Sequence, residues 1–177
     1  MTMKPLKQPK LSAKAVEDKL MHSVETMMEA ALRPKALKFR QAPKGLAQGP
    51  RLNRAFSLFL DNCLIAYQDH ACCQSCGRYD VEECMNELPK TQYDMTKGFV
   101  FYHVQDTDSA RETGKLFLSY GEAYRTKGKK HVRVCATPAM TYEEVGHLIC
   151  DLLTEAGLKW VWNGKSDTRI MVDLSST

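Results

Sequence analysis

The chain has 177 residues, 44% hydrophobic and 26% charged, the balance of a globular protein with room for one domain and an appendage. No apolar run approaches the roughly 20 residues that a membrane-spanning helix needs. The seven cysteines (Cys63, Cys72, Cys73, Cys76, Cys84, Cys135 and Cys150) are an odd number. No secretory core precedes them, which argues against a disulfide framework and for an intracellular, reducing setting. The cytoplasm is the first expectation, and the basic start leaves organelle import as the alternative.

The net charge of +4 conceals a split. Residues 1–54 carry twelve Lys/Arg against four Asp/Glu, and the remainder carries thirteen against seventeen. A basic arm on an acidic body is expected to meet something anionic, whether a protein partner or larger assembly, a nucleic acid or a lipid surface. A solubilising tail is the plain alternative. The binding candidates on the arm are Lys4, Lys7, Lys10, Lys35, Lys38, Arg40 and Lys44.

In chain order, Ser12 suits an N-cap, and Val16, Leu20, Val24, Met27, Met28, Ala31 and Leu32 follow at helical steps until Arg33-Pro34. Residues 35–50, with prolines and glycines among basic side chains, read as a linker. Residues 1–50 are thus expected as an arm and 51–177 as one domain. A helix is expected over 51–62, with Leu52, Ala55, Phe56, Phe59 and Leu60 on one side. A strand follows over 63–68, then the cysteine cluster, then a helix over 78–88 that Pro89 stops.

Residues 98–104 (Phe99, Val100, Phe101, Tyr102, His103, Val104) are apolar on both faces and predict a strand central in its sheet. A helix over 105–113 follows, with Ser109 and Glu112 fitting a capping box. Strands are expected over 116–120 and 131–135, around a polar loop over 122–130. Thr141 and Glu144 form a second box, ahead of the stripe Val145, Leu148, Ile149, Leu152 and Leu153, and Gly157 stands where a left-handed cap belongs. Strands over 158–162 and 169–174 form a C-terminal hairpin. The expected fold class is α+β, a mixed β-sheet with helices packed against it behind the basic helical arm.

Three segments carry a resemblance: Ala71-Cys72-Cys73-Gln74-Ser75-Cys76-Gly77, Gly98-Phe99-Val100-Phe101-Tyr102-His103-Val104-Gln105-Asp106-Thr107, and Gly157-Leu158-Lys159-Trp160-Val161-Trp162-Asn163-Gly164. Their order and spacing resemble a mostly bacterial family known only as a domain of unknown function, over about residues 51–174. The resemblance implies that Cys72, Cys73, Cys76, His103, Gln105 and Asp106 belong to a shared pattern. It supplies no activity or cofactor, and it leaves residues 1–50 outside the family as an arm particular to this chain.

The chemistry-bearing residues offer separate readings. Cys73-Gln74-Ser75-Cys76-Gly77 has the spacing of a metal knuckle, in which two thiolates face one ion and the glycine lets the backbone curl. Zinc is the ion this suits, with further ligands sought among Cys72, His70, Cys84 and the distant His103. The same pair before a helix suits a redox couple. The bland alternative is buried thiols acting as small apolar groups, with no cofactor. His103 and Asp106, at a strand-to-helix junction, are catalytic candidates as base and orienter, against a helix cap and a core histidine. Trp160 and Trp162 read as core, with base stacking as the alternative. The leading expectation for function is a non-enzymatic interaction protein that docks through its arm. A metal- or thiol-dependent enzyme or sensor and a nucleic-acid binder stand behind it.

Overall fold

A computed structural model describes residues 40–127, 132–135 and 140–175, together with Lys14. The chain divides into two units, Met1–Leu32 and Arg33–Thr177, and the second holds the sheet and the helices packed on it. The expected arm helix, Lys4, Lys7, Lys10, Lys35 and Lys38, and the lysines at 129–130 lie outside the described residues.

Helix α1 (Gly49–Asp61) buries Leu52, Ala55, Phe56 and Phe59, spaced three and four apart as expected. It starts two residues earlier than the pattern indicated. Pro50 fits the first turn, where its missing N–H leaves no helical bond unmade. Part of the expected linker is fixed to the body. Ala42 donates its amide to Asn53 Oδ1 at 2.7 Å, Gln68 Nε2 donates to the Arg40 carbonyl at 2.7 Å, and Leu46 is buried.

Strand β1 (Leu64–Tyr67) leads to α2 (Gln74–Glu87), which begins inside the cysteine cluster rather than after it. Pro89 does not merely stop α2. It caps a further short helix, α3 (Lys90–Met95), that the sequence pattern did not show. Strand β2 (Gly98–Phe101) ends three residues short of the expected boundary. Helix α4 (Val104–Thr113) begins there, capped by His103 and Asp106 and not by Ser109, which lies within the helix. Strand β3 (Lys115–Glu122) follows.

The expected loop after it contains β4 (Tyr124–Lys127), paired with β5 (Val132–Cys135). Contacts far away in sequence make this strand. Arg125 donates to the Met85 carbonyl at 2.9 Å and to the Leu88 carbonyl, with its guanidinium 4.0 Å from the centre of the Tyr93 ring. Helix α5 (Tyr142–Glu155) carries the Thr141/Glu144 capping box as expected, and Gly157 takes φ 78° behind it. Strands β6 (Lys159–Val161) and β7 (Ile170–Asp173) pair antiparallel as the C-terminal hairpin.

The five-stranded sheet runs β1-β2-β3-β7-β6, so β3 is the middle strand and β2 an interior neighbour. Only β1 and β2 are parallel, in the register Leu64 with Gly98 through Tyr67 with Phe101. The fold is α+β with a mixed sheet. Period-2 alternation sorts the strand residues between two cores. Leu64, Ala66, Val100, Leu116, Leu118, Ile170 and Val172 face α1 and α5. Ile65, Phe99 and Phe101 face Val81 and Met85 of α2 and Tyr93 of α3. Full burial of each large side chain is worth about 1.5–3 kcal/mol. The two cores clamp the parallel pair from both sides, and that fixes where its carboxyl ends emerge.

Candidate functional site: a three-thiol centre at the head of a helix

The carboxyl ends of β1 and β2 open onto the starts of α2 and α4. Two backbone bonds tie the junctions together: the His70 amide donates to the Tyr102 carbonyl at 2.9 Å, and the Val104 amide to the Ala71 carbonyl at 3.2 Å. The β1-to-α2 connection is tightly turned. Asp69 and Ala71 both sit in the left-handed region, at φ 49° and 62°, which for an alanine costs roughly 1 kcal/mol or more. Thr107 Oγ1 donates to Asp69 Oδ1 at 2.6 Å and holds the turn against α4.

This turn delivers three thiols to one place. Cys72 precedes the helix, Cys73 is its N-cap and Cys76 lies in its first turn. The three sulfurs all lie within 4.8 Å of one another. Cys72 Sγ and Cys76 Sγ are 3.5 Å apart. Cys72 and Cys76 are exposed and Cys73 is half-buried, so the buried-thiol expectation does not hold here, although it does for Cys150. No amide completes a capping bond to the Cys73 side chain. Even so, the Cys76 amide ahead of it and the two neighbouring thiols hold its pKa below the ordinary thiol value. Cys76 carries the opposite burden, pushed up to about 11 by hydrogen bonding and charge from Cys72 and Cys73.

Gly77 has a different role from the one its position suggested. It does not curl the backbone, because it lies inside α2. It is buried, and a Cβ there would stand 2.3 Å from Phe101 Cε2. Its missing side chain lets the start of α2 lie flat on β2 and so sets where Cys76 sits.

The other proposed ligands do not join the sulfurs. His70 stacks on Tyr67 with ring centres 4.4 Å apart, and its Nε2 is 2.9 Å from Asp80 Oδ2. Burial holds its pKa below the usual value. Cys84 is two turns down α2, half-buried beside Tyr67, and burial pushes its thiol up. Among the described residues, the group with metal-ligand geometry is Cys72, Cys73 and Cys76.

His103 and Asp106 are brought together, but as a cap. His103 Nδ1 accepts the Asp106 amide at 3.3 Å, and Asp106 Oδ2 accepts the His103 amide at 3.2 Å and lies 3.1 Å from His103 Nε2. Arg169, which the sequence did not single out, completes the cluster. Its two terminal nitrogens donate to Asp106 Oδ1 at 2.9 Å and Oδ2 at 2.6 Å, and one also reaches the Phe117 carbonyl at 2.6 Å. His103 and Asp106 are each 5% exposed, so this pair is inside the protein. Burial foremost, then the Arg169 charge, lowers the His103 pKa despite Asp106. Gln105, by contrast, is exposed.

The two tryptophans pack against the main core. Trp160 Nε1 donates to Thr154 Oγ1 at 2.9 Å, and the Trp162 ring lies against Gly146 and edge-on to Tyr120. Of the described arm candidates, Arg40 and Lys44 are exposed, and Arg40 reaches the Asp69 carbonyl at 3.4 Å.

Fold and site together define an α+β domain with a cluster of cysteines at a strand-to-helix junction. Residues 12–175 match the family described as a domain of unknown function, DUF6891, and the chain belongs to that family. The match begins at residue 12, so most of the arm lies within the family's domain and is not an addition particular to this chain. No curated protein and no solved structure matches it. Among the described residues, no helix is long and apolar enough to cross a membrane.

Proposed function

We propose that this chain binds a thiophilic metal ion, zinc foremost, through Cys72, Cys73 and Cys76, and that the site senses or carries the ion rather than stapling the fold. The carrying observation is the mutual approach of the three sulfurs to within 4.8 Å. In a tetrahedral zinc–thiolate site with Zn–S near 2.3 Å, the sulfurs stand about 3.8 Å apart, so the cluster needs only small side-chain movements to close on an ion.

Three features favour exchange over a structural role. The ligands come from five consecutive residues, so an ion held by them would cross-link no distant parts of the chain. Two of the three are exposed. Among the described residues no fourth group joins them, and zinc held by three protein ligands takes water or an outside ligand in its fourth position.

The test is the metal content of protein purified without a metal-affinity step, followed by titration of the reduced, metal-free chain with zinc. About one ion per chain is expected, with binding lost in Cys73→Ser and kept in Cys84→Ser. A reduced chain that takes up no zinc, with all three thiols freely reactive, sinks the reading.

Docking through the arm is a second, separate proposal, supported by the excess of eight positive charges over residues 1–54. Reversing Lys4, Lys7 and Lys10 to glutamate in the full chain should abolish co-purification of an acidic protein partner. A nucleic-acid partner would instead show binding that weakens about tenfold per tenfold salt for each phosphate contacted. Unchanged association in the reversed variant removes the arm from consideration.

A further inference from the structure

Cys72 and Cys76, whose sulfurs are 3.5 Å apart, are the two exposed residues of the cluster. A disulfide brings sulfurs to about 2.05 Å, so they are about 1.5 Å from bonding distance. The backbone between them offers little resistance. Cys72 stands outside the helix, and Cys76 is in its first turn, where amides have no intrahelical partner to lose. Cys73, the third ligand, belongs to the same cluster but is less exposed.

We propose that Cys72 and Cys76 form a reversible disulfide by exchange with a small-molecule disulfide, and that its closure empties the metal site. The proposal rests on the three-thiol ligand set above. The chemistry balances as two exchanges. One cysteine thiolate attacks the small disulfide, whose S–S bond breaks, and a mixed disulfide and one free thiolate result. The second cysteine then loses its proton and attacks the protein sulfur of the mixed disulfide, which expels the second small thiolate. The two cysteines give up two protons and two electrons in all, and the small disulfide takes them up and leaves as two thiols.

Closure removes two of three ligands at once, and one remaining thiolate cannot hold the ion. Disulfides that form in reducing compartments are characteristically transient and regulatory. An exposed one of this kind has a more oxidising potential than a buried structural bond and is readily reduced again. Site occupancy would then follow the thiol–disulfide balance around the protein.

The experiment uses the full reduced chain, with zinc alone as the metal probe and mixtures of reduced and oxidised glutathione as the disulfide probe. The reduced chain should bind zinc. Oxidised glutathione should produce a linked Cys72–Cys76 peptide and an intact mass lower by two hydrogens. Zinc should be released in step, and dithiothreitol should restore its binding. Cys73→Ser should still form the linkage while losing zinc, and Cys84→Ser should keep both behaviours. If the reduced chain binds zinc but the linkage does not form, joins Cys73 instead, or leaves zinc bound, the switch is overturned and the metal site stands. If the reduced chain binds no zinc, the ligand set fails and the switch fails with it.

Discussion

Replacing Gly77 with alanine tests how α2 is seated and how the thiols are placed. The added Cβ would lie 2.3, 2.9 and 3.0 Å from three carbons of the Phe101 ring, where carbon atoms pack at about 3.5–4.0 Å. The shortfall at the closest carbon is therefore more than 1 Å. The ring cannot swing clear, because Phe101 is fully buried among Val81, Met85 and Phe99. The start of α2 must lift from the sheet, and overpacking of this kind costs about 1–3 kcal/mol. Against it stands the gain from replacing a helical glycine with alanine, about 1 kcal/mol. The net expectation is a loss of up to about 2 kcal/mol, read from the urea midpoint at unchanged slope. Because Cys76 is the adjacent residue, zinc affinity of the reduced chain should fall as well. Phe101→Leu should recover part of both losses in the Gly77→Ala background while costing stability in the parent, a double-mutant coupling of opposite sign to either single change. A Gly77→Ala variant as stable as the parent, with unchanged zinc affinity, would refute this account of the junction.

Arg169→Leu leaves the buried Asp106 carboxylate without its two-pronged partner, a class of change that costs about 3–5 kcal/mol. The lower end is expected because the Arg169 side chain is itself 27% exposed, and denaturant unfolding measures it. Since burial lowers the His103 pKa, its unfolded form takes a proton near 6.5 that the folded form resists. Its contribution to stability is intact above pH 6.5 and is lost as pH falls below that value toward the lowered folded pKa. His103→Asn keeps a capping acceptor and should flatten part of the decline in unfolding midpoint between about pH 7 and pH 5.5; an unchanged slope would remove His103 as its source. Chelation should shift the unfolding midpoint little, because the unfolded chain keeps all three ligands within five residues and also binds the ion. Unfolding of the domain on chelation would show instead a structural metal.

What sequence could disclose was the local part of this design. Thr141 and Glu144 satisfy each other's amides three residues apart, and the buried positions Val145, Ile149, Leu152 and Leu153 repeat at helical spacing, so α5 was legible. The α4 cap was legible only in part: Asp106 was open to a capping role, but its partner is a histidine ring where a hydroxyl or carboxylate is usual, while Ser109 and Glu112 mimic a box inside the helix. Ser109 instead accepts the Thr113 hydroxyl with its carbonyl at 2.7 Å. Arg169 and Asp106 are 63 residues apart, and no window along the chain joins them. The same holds for Arg125, whose partners Met85 and Leu88 lie 40 and 37 residues away and turn an apparent loop into a strand. Cysteine spacing marked the thiol cluster correctly, but exposure could not be read from it. The expected role of Gly77 as a turn residue fails for a comparable reason: the ring that demands a glycine comes from another strand.

Two polar clusters meet at the carboxyl edge of the parallel strands, and they differ in what is left for an outside molecule. In the first, His103 Nδ1 takes an amide, both Asp106 oxygens take Arg169, and the Thr107 hydroxyl is given to Asp69. These groups are engaged with one another, so the cluster fixes α4 and the turn above it. In the second, the sulfurs contact one another and two of their three residues face solvent at the head of α2. The turn that presents them is strained at Ala71 and braced by Thr107 and by the amide of Val104. The buried cluster thus acts as the support for the exposed one. It follows that Thr107→Val, which removes the brace on Asp69 without touching a cysteine, should weaken zinc binding through loss of preorganisation while leaving the number of ions bound unchanged. Equal zinc affinity in Thr107→Val and the parent would show that the two clusters are independent neighbours.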